Sequence, residues 1–297
     1  MNRRDFIKSA GALTTFALLP DTLPNIPVAK FKLGLQLFTI REAMDKDPEN
    51  TLKRVAKMGY QDLETYGIGD KGLSYYGLPN KELKSLLADL GLSTSSGHYD
   101  LYRFNNSPEK ELLNHVDECI TGALALGQAY ITWPWLPPED RSLEKFRSLT
   151  SKLNLIGEHV KKAGLTLAYH NHEYEFIDFE GKNGYDIIME ETDPALVKLQ
   201  IDLYWVVRAS KHTPEYYFNK QPGRFEMWHI KDMDRVSHDY TELGNGVIDY
   251  KPILKHVKHS GMKYYFLEQG SNFKTGDAMN SIAESIQYFK KNLQKLV

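Results

Sequence analysis

The chain has 297 residues, of which 41% are hydrophobic and 26% charged, and its formal net charge is −2. That length supports a full-sized core, and the near-neutral balance supplies none of the basic surplus that extended nucleic-acid contact requires. The single cysteine, Cys119, excludes an intrachain disulfide and falls in a helical pattern, where a buried structural thiol is expected.

The first 20 residues, MNRRDFIKSAGALTTFALLP, pair Arg3 with Arg4 ahead of Phe6, Lys8 and an apolar run from Ala10 to Leu19. This is the arrangement of a twin-arginine export signal, and the run is shorter than the ~20 residues needed to cross a bilayer. The expectation is an export signal and linker over residues 1–30, a periplasmic or otherwise exported product, and no stable membrane span after processing.

From residue 31 onward strand and helix patterns alternate. Strands are predicted over 31–38, 60–66, 92–98, 128–134, 165–172, 198–203, 225–231 and 262–268. Helical spacing of apolar residues fills the intervals, from TLKRVAKMG after the first unit to AESIQYFKKNLQKL at the end. Five helix-like stretches run into a glycine (Gly59, Gly91, Gly127, Gly164 and Gly261) and then into an apolar strand. The first three intervals between these glycines are 32, 36 and 37 residues. Eight such units need about 250 residues, so the predicted fold is α/β, a single-domain (β/α)8 TIM barrel over residues 31–297.

Alternation along the strands divides their residues into two faces. Leu165, Leu167 and Tyr169 oppose Thr166, Ala168, His170 and His172, and Leu199 and Ile201 oppose Gln200 and Asp202. Trp228 and Ile230 oppose Met227, His229 and Lys231, while Tyr265 and Leu267 oppose Phe266 and Glu268. The inward faces therefore collect imidazoles and carboxylates, which are costly to bury unless paired or bound to an ion. His170, Asp202, His229 and Glu268, one from each of strands five to eight, form the predicted shell of one divalent metal ion. Two imidazoles and two carboxylates suit Mn²⁺, Zn²⁺, Co²⁺ or Fe²⁺.

The motifs GLQLFTIR, YHNHEYEF, IDLYW, WHIKDMD, ELGNGVIDY and FLEQG carry a resemblance to the xylose isomerase-like barrel superfamily over about residues 31–297. That superfamily includes sugar isomerases and epimerases, inosose dehydratases and endonuclease IV. The resemblance implies metal ligands at the ends of strands five to eight, the four residues already named. The resemblance sets His98 where endonuclease IV has a further zinc ligand, but Trp133, Trp205 and Tyr240 stand at other positions of that site, which argues against DNA repair by three zinc ions. Ketose epimerases of the superfamily place a glutamate at strand five as well as strand eight, whereas this chain has His170.

The resemblance implies an enzyme that abstracts a proton next to a carbonyl of an unphosphorylated sugar or keto-sugar, since no glycine-rich phosphate cradle is present. A sugar isomerase or epimerase is the leading expectation. A lyase or hydratase of keto-glycosides or inososes, and a non-catalytic carbohydrate-binding protein, stand as alternatives. Candidate catalytic residues are Glu268, His170, Lys231, His172 and Glu64. Candidate substrate contacts are His98, Trp133, Trp135, Trp205, Arg41 and Glu173, with Arg103 and Arg208 as further loop cations. Lys231 is expected to face a developing oxyanion or to pair with Asp232 or Glu268. The expected partner is a small-molecule carbohydrate, with homo-oligomer formation left open.

Overall fold

The computed structural model describes residues 31–297. The segment read as an export signal lies outside the described residues. Eight parallel strands close a barrel in chain order: β1 (Gly34–Gln36), β2 (Asp62–Tyr66), β3 (Ser93–His98), β4 (Tyr130–Trp133), β5 (Thr166–His170), β6 (Val197–Asp202), β7 (Met227–Ile230) and β8 (Tyr264–Leu267). β8 returns to β1 through Gly34↔Phe266 and Leu35↔Leu267. Only glycine permits this seam, because a Cβ on Gly34 would lie 2.1 Å from the carbonyl oxygen of Tyr265.

Helices pack outside the strands, among them Pro48–Met58, Asn80–Asp89, Glu109–Leu126, Leu143–Lys162 and Ala278–Asn292. Their ends follow local chemistry. Asp47 accepts from the Asn50 amide ahead of Pro48, and Ser142 accepts from the Lys145 amide. Gly59 and Gly127 close their helices in the left-handed conformation, at φ 96° and 81°, where a side chain would be strained.

All eight predicted strands are present, seven of them shorter and β6 shifted by one residue at unchanged length. β1 stops at Gln36, whose side chain accepts from the Phe38 amide and turns the chain into a 3-10 helix over Leu37–Ile40. β5 stops at His170 and β8 at Leu267, so His172 and Glu268 sit just beyond their strands. The helix-like stretch that runs into Gly261 is broken into Tyr250–Leu254 and Val257–Ser260. Two short hairpins, pairing Ser74–Tyr75 with Leu78–Pro79 and Asp232–Met233 with Tyr240–Thr241, were outside the prediction.

The two faces of the strands separate as alternation requires. Tyr130, Ala168, Met227 and Phe266 form a cluster inside the cylinder. Leu167, Tyr169, Leu199, Ile201, Trp228 and Tyr265 belong to the large core between barrel and helices, where Trp228 stacks on Phe218 at 4.9 Å. Cys119 is buried on the helix Glu109–Leu126. Among the described residues no helix is long and apolar enough to cross a membrane.

Candidate metal centre and active-site cavity

The C-terminal ends of the strands bring the ionisable residues to one mouth. His170, Asp202, His229 and Glu268 each offer a ligand atom, and these atoms lie within 4.8 Å of one another. His98, from β3, lies within the same reach of His170 and His229. All are largely buried. Asp202 is held by Asn171, whose Oδ1 accepts from the Asp202 amide at 2.9 Å, and its own Oδ1 accepts from the Tyr204 amide at 3.0 Å.

Beneath the mouth lies Glu64, fully buried. Its Oε2 accepts from His229 Nε2 at 2.5 Å and Gln36 Nε2 at 2.6 Å, and its Oε1 accepts from Gln200 Nε2 at 2.6 Å. Gln200 in turn accepts from His98 Nε2 at 2.7 Å. Burial alone would raise the Glu64 carboxyl, but His98 and His229 outweigh it and hold the group well below the usual carboxylate range. Glu64, a catalytic candidate by sequence, is thus saturated with donors and anchors the His229 ring from below.

His229 is clamped from both sides. Its Nδ1 lies 2.6 Å from Glu268 Oε2, and the two carboxylates overcome the desolvation that would lower the imidazole, raising it to about 9. Lys231 extends from the same strand end, and its Nζ is 2.7 Å from both Asp202 Oδ2 and Glu268 Oε2. Asp232, the other partner considered for Lys231, instead accepts from the amides of Gly244, Gly246 and Ile248. Burial would lower Lys231, yet Asp202 and Glu268 hold it charged, and together with His229 this cation keeps Glu268 ionised despite its burial.

The donor set fits a divalent cation. With His229 and Lys231 protonated, the three carboxylates Glu64, Asp202 and Glu268 leave the cluster one positive charge short of balance; exchanging the His229 proton for a dication would neutralise it. His170 is ready to ligate. Burial, followed by the neighbouring His229 and His98, drives it well below the usual histidine range, so it is uncharged, and its Nδ1 has no hydrogen-bond partner. Glu64, holding Nε2 of His229 and leaving Nδ1 toward the mouth, is the carboxylate–histidine arrangement that orients a metal-bound imidazole.

Above this cluster opens a cavity of about 610 Å³, lined by His98, His170, His172 and Glu268 at its floor and by Phe38, Tyr66, Tyr102, Arg103, Pro134 and Trp135 on its walls. His172 is lowered by burial and then by Lys231, and its Nδ1 is also without a partner. The ring is fixed by stacking on Tyr174 at 5.5 Å and by its backbone amide, which donates to the buried Glu175 at 2.8 Å.

Several predicted contacts lie elsewhere. Trp133 is fully buried on the outward face of β4, opposite Thr132, and donates from Nε1 to the carbonyl of Trp135 at 2.9 Å; it braces the wall and does not face the cavity. Trp205 is nearly buried between His172 and Tyr240. Arg41 donates to the carbonyls of Phe38 and Gly270 and borders a separate cavity. Arg208 donates to the Tyr204 hydroxyl. Glu173 is exposed, and the one-turn helix Tyr174–Phe176 turns Glu175 inward in its place. Sequence reasoning missed Gln36, Gln200, Asn171 and Glu175, since neutral amides and a carboxylate away from a strand end carry no ligand signal.

Residues 52–292 match the family described as xylose isomerase-like TIM barrel. An inosose dehydratase of Geobacillus thermodenitrificans (strain NG80-2) is 28% identical over 142 residues, 42% of this chain and 46% of the relative, so the match spans under half the length of that dehydratase. The crystal structure of a sugar phosphate isomerase/epimerase from Parabacteroides distasonis ATCC 8503 is 26% identical, with a TM-score of 0.73 over 91% of this chain and 96% of that one. An IOLI protein with a bound zinc atom shares the fold at 17% identity, with a TM-score of 0.69 over 90% of this chain and 99% of that one. Taken with the closed barrel and the ligand atoms gathered at its mouth, the match over residues 52–292 shows that the chain belongs to the xylose isomerase-like TIM barrel family.

Proposed function

We propose that this protein is a metal-dependent lyase that removes a proton next to the carbonyl of an unphosphorylated keto-sugar or keto-polyol and expels a substituent from the adjacent carbon. The observation that carries this reading is the asymmetry of the site. His170, Asp202, His229 and Glu268 converge under the cavity, yet β5 contributes an uncharged imidazole where a two-carboxylate proton exchange needs a second acid. Similarity to the Geobacillus inosose dehydratase points the same way.

His170, Asp202, His229 and Glu268 would hold the cation. When bound, such an ion would supply Lewis-acid polarisation of a substrate carbonyl. His172 lines the cavity as a neutral imidazole, the state required of a proton acceptor, and its loop is fixed by Glu175. Lys231 supplies a fixed positive charge behind Asp202 and Glu268, and His98, with Nε2 donating to Gln200, presents its ring to a substrate hydroxyl. Glu268 lines the same floor, but His229 Nδ1 and Lys231 Nζ already occupy its Oε2, which suits it to hold a cation rather than to take up a proton.

An isomerase or epimerase is the second reading, favoured by the likeness to the Parabacteroides isomerase/epimerase. Protein loaded with Mn²⁺, Zn²⁺ or Co²⁺ in separate batches, incubated in D₂O with inososes, 3-keto-glycosides and ketoses, separates the two by NMR. Loss of water or of the glycosidic substituent is the expected result. Deuterium in an isomeric ketose without elimination would replace it by the second reading, and saturable binding with neither outcome would leave a carbohydrate-binding protein.

The Arg3–Arg4 pair and the short apolar run behind it support export. Cell fractionation of the chain and of an Arg3→Lys, Arg4→Lys variant tests this, with retention of the variant in the cytoplasm expected. Equal distribution of the two would remove the proposal.

A further inference from the structure

The mouth of the barrel is divided. The metal-ligating side chains come mainly from β5 to β8, while the wall above β1 to β4 is mostly aromatic, with the Arg103–Asp100 ion pair beside the rings: Phe38 meets Tyr66 in an edge contact at 5.5 Å, and Tyr102 meets Trp135 in another at 5.1 Å. A single six-membered polyol ring seated on the floor residues fills only part of about 610 Å³, a volume within the ~300–1,000 Å³ range that encloses drug-sized ligands. The remainder lies against the aromatic rings.

These rings are held in place. Phe38 is 41% exposed, too open to serve the core, yet the Arg41 guanidinium lies 4.5 Å from its ring and donates to its carbonyl at 3.0 Å. The Trp135 carbonyl is bound by buried Trp133, and Arg141, which donates to the Leu136 carbonyl, lies 5.4 Å from the Trp135 ring and 3.8 Å from Tyr174. Aromatic surface fixed beforehand and left facing a cavity gains contact at little cost in ordering.

We infer that Phe38, Tyr66, Tyr102 and Trp135 form a second subsite that receives a ring-bearing substituent of the substrate. The class of ligand is a glycoside: one polyol ring over the metal centre, and a second ring, aromatic or sugar, linked through the glycosidic position and stacked between the two aromatic pairs. This rests on the keto-sugar reading of the floor, and it narrows the substrate from a monosaccharide to a substituted one.

The test separates the subsite from the chemistry by using unreactive, unoxidised probes. Methyl glucoside, phenyl glucoside and a glucose disaccharide are titrated into the metal-loaded protein by calorimetry and by tryptophan emission. One of the two ring-bearing probes should bind at least about 10-fold tighter than methyl glucoside, the better one identifying the second ring as aromatic or as sugar. In Phe38→Ala and Trp135→Ala, with unchanged melting temperature checked first, that ratio should fall about 2- to 10-fold, the stacking contribution of one ring. Equal affinity for all three probes, or a ratio unmoved in both variants, overturns the subsite. Turnover of 3-keto-glycosides is then measured separately. Ring selectivity without turnover sinks the lyase reading and leaves the subsite standing, whereas turnover without ring selectivity does the reverse.

Discussion

His229 points its Nε2 at the carboxylate of Glu64, 2.5 Å away in the barrel interior, and so leaves Nδ1 directed to the mouth. The orientation of the ligand is therefore set from below, by a residue that does not touch the cavity. Glu64→Gln removes the charge that holds the imidazole. Divalent-cation affinity, measured by calorimetry, should fall about 10–100-fold, the usual effect of losing such a partner. An unchanged dissociation constant would show that Glu64 does not orient the site.

Among the described residues Lys231 is the cation that joins Asp202 to Glu268, with His229 also on the latter. Lys231→Met strands two buried carboxylates, and breaking a buried pair in this way costs about 3–5 kcal/mol. Denaturant unfolding of the metal-free variant should show that loss, with part of it recovered when a divalent cation is added. A loss below about 1 kcal/mol would mean that the pair is already screened.

His172→Asn keeps the ring's hydrogen-bonding size while removing its basicity. Turnover should drop by a factor of about 10²–10⁴, with metal content preserved because His172 is outside the ligand group. A rate within about threefold of the parent protein would move the proton acceptor elsewhere.

Glu175 makes stability depend on pH. Burial raises its carboxyl to about 8, opposed by the hydrogen bonds from Tyr169 and the His172 amide. A carboxyl raised on folding contributes stability that is complete below the unfolded value near 4.5 and is lost as pH rises through about 8. The loss is on the order of 5 kcal/mol over that window. Glu175→Gln, which keeps a side-chain acceptor for His172, should flatten the profile between those limits. Parallel profiles for parent and variant would place the pH dependence in another group.

Much of this architecture was legible in the chain because period and chemistry agreed. Gly59 and Gly127 stop helices and announce strands, and the alternation around His170, Asp202 and His229 sorts inward from outward residues before any coordinates. At Trp133 two signals conflict: it stands at a strand end, but parity sets it on the outward face of β4 with Ile131, while Thr132 meets Ser96 inside. Gln200 and Gln36 were hidden for a different reason. Their amides bind Glu64 across 136 and 28 positions, and no local pattern encodes such pairings. Glu175 required knowing that Tyr174–Phe176 coils into a single turn, which reverses the side on which each glutamate of NHEYEF emerges.

The last strand links the cation to the closed cylinder. Glu268 follows β8, which lies between β7 and β1 and must find Gly34 and Leu35 across more than two hundred positions, and Arg41 fastens the same junction by donating to Gly270. A cation held by all four ligands would therefore favour the form with β8 docked over any in which that strand is loose, and a retained divalent ion would report an intact cylinder.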